Sequence, residues 1–216
     1  MKFFYSLLFV FFFSATTIFA QRIPANKPVI IKATSTECNV CGLRAWDDFK
    51  DIIDKYKDNA VVMAVHPLEE SELFTNTSME FVENKSVFFG TPSLFINEEF
   101  HIDNWFVGIK DYIGLFQERR VTAHPEVDFK IKGNELSVEV NTQFFYKTNR
   151  PHYVSVYLIE DHVEEYQNNR RPDELHSKIL RTHLGDRNFP IIKANVENVA
   201  SRIEKNVLSF FKTITL

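Results

Sequence analysis

Lys27 to Trp46 reads KPVIIKATSTECNVCGLRAW: a short branched apolar run, a small polar loop, and then Cys38 and Cys41, the two cysteines of the 216-residue sequence. The run from Lys27 to Thr34 has the pattern of a buried β-strand. From Cys41 onward Trp46, Phe49, Ile52, Ile53 and Tyr56 recur at helical spacing, with Asp47, Asp48, Lys50, Asp51 and Asp54 on the other side. The spacing predicts an amphipathic helix that starts at the cysteine pair. AVVMAVHP, Ala60 to Pro67, reads as a second buried strand, and the order strand, helix, strand favours a parallel right-handed crossover.

Working outward, a polar stretch from Leu68 to Asn84 leaves room for a short helix near Ser78 to Glu83. TPSLFINEEFHI, Thr91 to Ile102, reads as strand, turn at Asn97 to Glu99, and strand. Trp105, Ile109, Tyr112, Ile113 and Phe116 then mark a helix within Trp105 to Arg120. The polar RRVTAHPE, Arg119 to Glu126, marks a domain boundary. Beyond it the period changes to two: Val127, Phe129 and Ile131 alternate with charges, Gly133 and Asn134 form a two-residue turn, and Leu136, Val138 and Val140 alternate back. This is a β-hairpin with one apolar face. Strands from His152, from Lys178 and over Val207 to Leu216 complete a mostly β segment. The expected division is therefore an α/β domain over residues 21–120 and a β-sandwich over 121–216, with little room for the last sandwich strands.

Residues 1–20, MKFFYSLLFVFFFSATTIFA, combine one basic residue with an apolar run at the short limit for a span and broken by Ser14, Thr16 and Thr17, which predicts a secretory signal peptide cleaved after Ala20, with a retained membrane anchor as the alternative. Its removal takes away Lys2 and no acid, so 25 basic and 29 acidic residues become 24 and 29, a net charge of -5. That balance argues against a nucleic-acid partner. An exported protein of the periplasm or cell envelope is expected, a setting in which two cysteines can pair.

Residues three apart in a first helical turn have α-carbons about 5 Å apart, within the range that a disulfide spans. A thiol there also faces free amide donors, which favour the thiolate. Such a pair suits exchange: Cys38 attacks a partner's disulfide and Cys41 resolves the mixed disulfide. Two other readings stand beside it. A structural disulfide closing so short a loop removes only about 2 kcal/mol of unfolded-chain entropy. A zinc site needs about four ligands, and His66 and His101 lack ligand spacing to the pair.

A strand, a Cys-x-x-Cys opening a helix, a strand, and Thr91-Pro92 opening an antiparallel hairpin before a terminal helix together resemble the thioredoxin fold over about Pro28 to Gln117. The resemblance implies an α/β thioredoxin-like domain, a cis Pro92 against the cysteine pair, and Thr91 and Pro92 as the substrate-facing loop. No cofactor or metal is implied. Three departures bear on its chemistry. Asn39 and Val40 stand between the cysteines without a proline, and Glu37 precedes Cys38, where its charge raises the thiol pKa. Lys32 occupies the place of a buried aspartate, and a cation there favours thiolate and a more oxidising poise. Over both segments the chain also resembles a Bacteroidota envelope family related to a twenty-eight kilodalton outer-membrane protein, through VYLIEDHVEEYQ (Val156 to Gln167) and LHSKILRTHLGD (Leu175 to Asp186). That resemblance implies a thioredoxin-like domain followed by an immunoglobulin-like sandwich, an envelope location, and peripheral association with the outer membrane. Its partners are expected among protein thiols or disulfides of the envelope. A non-enzymatic binding module with a closed disulfide is the alternative.

The remaining candidates have plainer readings. His176 and His183, seven apart on a strand, fall on opposite faces. Asp161, Glu164 and Glu165 read as a solvated loop before a calcium site. Asn76-Thr77-Ser78 and Asn84-Lys85-Ser86 match the glycosylation pattern, and Phe144 to Tyr146 read as core strand before partner patch. Six glycines are too few for a convincing nucleotide loop, and no Ser-His-Asp constellation is evident.

Overall fold

Ile30, Ile31 and Ala33 are almost wholly buried, Ile30 in one apolar cluster and Ile31 and Ala33 in another. Alternation along a strand sends neighbours to opposite faces, so β1 (Val29–Ala33) is covered on both sides. A computed structural model describes residues 25–83, 90–97, 100–101, 109–146, 152–153, 155–184, 193–194 and 207–215. Within them β1 is followed by α1 (Asn39–Gly42), α2 (Arg44–Tyr56), β2 (Val61–Val65), α3 (Asn76–Glu83), β3 (Ser93–Ile96), β4 (Phe100–His101) and α4 (Ile109–Glu118). β2 runs parallel to β1, while β3 runs antiparallel on its other side. Phe49, Ile52 and Tyr56 of α2 and Ile109, Ile113 and Phe116 of α4 pack with Ile30 on one face. Phe81 and Val82 of α3 pack with Ile31 and Ala33 on the other.

The expected helix at the cysteines is two elements. Leu43, with φ -87° and ψ -131°, interrupts the chain between α1 and α2. The helix read near Ser78 starts two residues earlier, at Asn76, where the Thr75 hydroxyl accepts from the Ser78 amide at 3.0 Å and caps it. The expected helix start at Trp105 and the turn residues Glu98 and Glu99 lie outside the described residues.

The second half begins with the predicted hairpin, β5 (Ala123–Lys132) and β6 (Glu135–Phe144), joined through Gly133 at φ +59° and Asn134. β7 (His152–Tyr153), β8 (Val156–Glu160), β9 (Val163–Glu165), β10 (Glu174–His176), β11 (Ile179–Leu184), β12 (Lys193–Ala194) and β13 (Val207–Thr215) follow. β13 pairs along β6 to give a three-stranded sheet in the order β13-β6-β5.

Strands from beyond the boundary expected at residue 120 share a sheet with strands from before it. β11 and β8 join the first sheet, whose order is β4-β3-β1-β2-β11-β8. The physical reason is two-sided burial at the start of β11, where Ile179 enters one apolar cluster and Leu180 the other. Such a strand belongs beside β2, itself covered on both faces, and the Ala64 amide donates to the Lys178 carbonyl at 2.7 Å. Leu136, Val138 and Val140 of β6 pack with Leu184, Val156 and Leu158, so the small sheet rests on strands of the large one.

Candidate functional site

The cysteine loop leaves the end of β1, where the Thr34 amide donates to the Val65 carbonyl at 2.9 Å. Ser71 anchors the next turn. Its Oγ accepts from the Thr36 amide at 3.1 Å and lies 2.9 Å from His66 Nδ1, while Thr36 Oγ1 accepts from the Glu72 amide at 3.1 Å. Cys38 caps α1: its Sγ accepts from the Cys41 amide at 3.2 Å. The two sulfurs are joined in a disulfide with α-carbons 5.2 Å apart. The two cysteine residues are unequally exposed: Cys38 is partly accessible while Cys41 is 0% exposed.

Thr91 and Pro92, joined by a cis peptide bond, are half-buried and immediately precede β3. Ser93 pairs with Ala33, the last residue of β1. The register therefore places Thr91 and Pro92 at the end of the sheet from which the cysteine loop departs.

A segment that sequence reasoning left without a role lies across this loop. Gln167, 0% exposed, directs Nε2 at the carbonyls of Ser35, Thr36 and Cys38 at 3.3, 3.1 and 3.3 Å. The Asn168 amide donates to the Thr36 carbonyl at 2.8 Å and its side chain to the Glu37 carbonyl at 3.1 Å. Asn169 Nδ2 donates to the Asn39 carbonyl at 3.1 Å. Arg170 donates from Nε to the Gly42 carbonyl at 2.6 Å and pairs with Asp47 at 2.7 Å. Residues 167–170 thus form a polar strap over the backbone of the loop, satisfying carbonyls at and around α1. Gly42 is the point of closest approach: a Cβ there would overlap the Asn168 carbonyl oxygen. No spacing rule connects residue 167 to residue 38; the one local hint was a glycine directly after Cys41.

Three buried basic side chains cluster beside α2. Lys32, 2% exposed, holds Nζ 5.0 Å from the Phe49 ring centre and 5.6 Å from that of Trp46. Desolvation, reinforced by the Arg170 charge and opposed by Asp48, lowers its pKa to about 7. The sequence reading treated Lys32 as a full cation; burial removes much of that charge near neutral pH. His176 sits edge-on between Trp46, at 4.8 Å, and His66, at 5.9 Å between ring centres. Desolvation lowers His176 to about 4 and His66 well below its ordinary value, so both rings are neutral at pH 7.

The other candidates are dispersed. His183 lies against Thr77 at 3.5 Å, away from the His176 cluster, and Asp161 is paired with Lys178. Phe144 is buried. His101 is in β4, separated by β3 and β1 from β2, which His66 directly follows. Asn84 lies outside the described residues. Among the described residues no group of three or more His, Cys, Asp or Glu stands close enough to hold a metal ion, and no helix is long and apolar enough to cross a membrane. Compared with protein-family models, with curated proteins and with solved structures, the chain shows no match.

Proposed function

We propose that this protein carries out thiol–disulfide exchange on proteins of the cell envelope, through Cys38 and Cys41 on a thioredoxin-like frame, with Thr91 and Pro92 facing the substrate. The observation that carries the reading is the unequal exposure of the two cysteines. Exchange needs one sulfur that a partner can reach and one that only its neighbour can reach. In the reducing direction the Cys38 thiolate attacks a partner disulfide, forming a mixed disulfide and expelling one partner thiolate. The Cys41 thiolate then attacks Cys38 Sγ, closing the Cys38–Cys41 bond and releasing the second partner thiolate, so two electrons pass to the partner. From the disulfide form the same steps run backwards and oxidise a partner dithiol. The Cys41 amide, which already donates to Cys38 Sγ, would hold the thiolate. Export and peripheral membrane association belong to the same proposal and rest on the sequence of residues 1–20 and the envelope-family resemblance.

The strap supports a second reading, a binding module whose disulfide stays closed, because it braces the loop on its backbone side. The reduction potential separates the two. A value between roughly -120 and -270 mV, the span of exchange catalysts, supports exchange; one below about -300 mV supports the closed module. For an exchange protein, Cys41→Ala is expected to accumulate mixed disulfides through Cys38, visible as dithiothreitol-sensitive adducts on a non-reducing gel.

A further inference from the structure

β5 is an edge strand with an apolar row turned to solvent: Val127, Phe129 and Ile131 are 56%, 67% and 61% exposed. Among the described residues its second edge is unpaired. Register pairs these three with Val140, Val138 and Leu136, which are buried on the same face, so the apolar surface of β6 continues outward onto β5 without cover. The free backbone groups of the edge lie at the same positions. Lys132 and Glu135 flank the two-residue turn as a pair exchanging both hydrogen bonds, which turns the amides and carbonyls of even-numbered β5 residues toward β6 and those of Val127, Phe129 and Ile131 outward.

The charges on the opposite face select an occupant. Along β5 they run Glu126, Asp128, Lys130, Lys132, acids first and bases second. An antiparallel copy of the same strand, centred on Phe129, sets Asp128 opposite Lys130 of the partner subunit and Glu126 opposite Lys132 of the partner subunit. On the apolar face it sets Phe129 against itself and Val127 opposite Ile131 of the partner subunit. Phe129 is also a residue with outward backbone groups, so the same register closes hydrogen bonds between the strands. Sliding the copy two residues either way puts Lys130 against Lys130 or Asp128 against Asp128. Within its own hairpin Asp128 lies directly opposite Glu139, a like-charge pair that a neighbouring lysine would relieve.

We propose that the chain forms a two-fold dimer through antiparallel pairing of β5 with β5 about Phe129, joining two three-stranded sheets into one of six. The cysteine pair takes no part in it. The test is sedimentation equilibrium of protein expressed from the full 216-residue sequence, with a charge-exchange series. Wild type is expected to dimerise across micromolar concentrations. Asp128→Lys, which faces lysine with lysine twice per dimer, should weaken the dimer at least about tenfold. The double variant D128K/K130D restores opposite charges in the same register and should restore dimerisation, with thermal melting confirming that each variant is folded. A monomeric wild type overturns the proposal. So does a dimer indifferent to Asp128→Lys, or one that the double variant fails to recover.

Discussion

Lys32 is a lysine where the packing asks for an apolar residue, and its energetics follow from that. Its proton is held with a pKa near 10.5 in the unfolded chain but only about 7 in the folded one. Between those values the unfolded state binds more protons, so stability rises with pH from about 7 to 10.5. Below that window both states are charged and the whole penalty of burying the cation remains. Lys32→Met is therefore expected to raise stability at pH 7 by a few kcal/mol and to flatten the alkaline rise, read from urea midpoints across the pH range. An unchanged pH profile would count against a buried, desolvated Lys32. His176 acts in the same sense at acid pH: with a folded pKa of about 4 against 6.5 unfolded, it makes stability fall as pH drops through that interval. Gln167 is the other residue on which much rests. Gln167→Ala removes a donor from three loop carbonyls and should cost about 1–3 kcal/mol in urea unfolding of the disulfide form. A midpoint equal to wild type would show that the amide does not hold the loop.

At the level of elements, the strap and the cysteine loop form one unit built from residues about 130 apart in the chain. Gly42 lets them meet, because its missing Cβ is where the Asn168 carbonyl sits. Gly42→Ala should push the strap away and destabilise the fold by about 1–3 kcal/mol, the usual cost of overpacking. If the strap is what shields this backbone, the amides of the loop should also exchange faster with deuterium in that variant. Slow exchange at wild-type rates would mean that the loop holds itself. The cysteines, the strand before them, the amphipathic residues after them and the hairpin turn at Gly133 were all legible in the sequence, since each depends on local spacing. The break at Leu43 was not. Helical periodicity runs across it from Cys41 to Tyr56, and what surrounds the interruption, Arg170 on the Gly42 carbonyl, comes from elsewhere in the chain.

For the whole molecule, the first sheet is completed by strands that come after the segment boundary. Residues 21–120 alone would lack β11 against β2, with Ile179 and Leu180 removed from both apolar clusters, and would lack the strap over the cysteines. That fragment is expected to show no cooperative thermal transition, whereas residues 21–216 should melt cooperatively, both followed by circular dichroism. A sharp transition in the fragment would show that the first segment is an independent domain.

By itself the sequence determined the local elements and that Cys38 and Cys41 can pair, because strand alternation, helical spacing, turn chemistry and the geometry of residues three apart all act over a few positions. Only the tertiary structure decided which cysteine is the more exposed, which strands share a sheet, and that Gln167 to Arg170 lie over the loop. Those outcomes depend on burial and on hydrogen bonds between segments far apart in the chain, where many pairings are compatible with the same pattern and packing selects one.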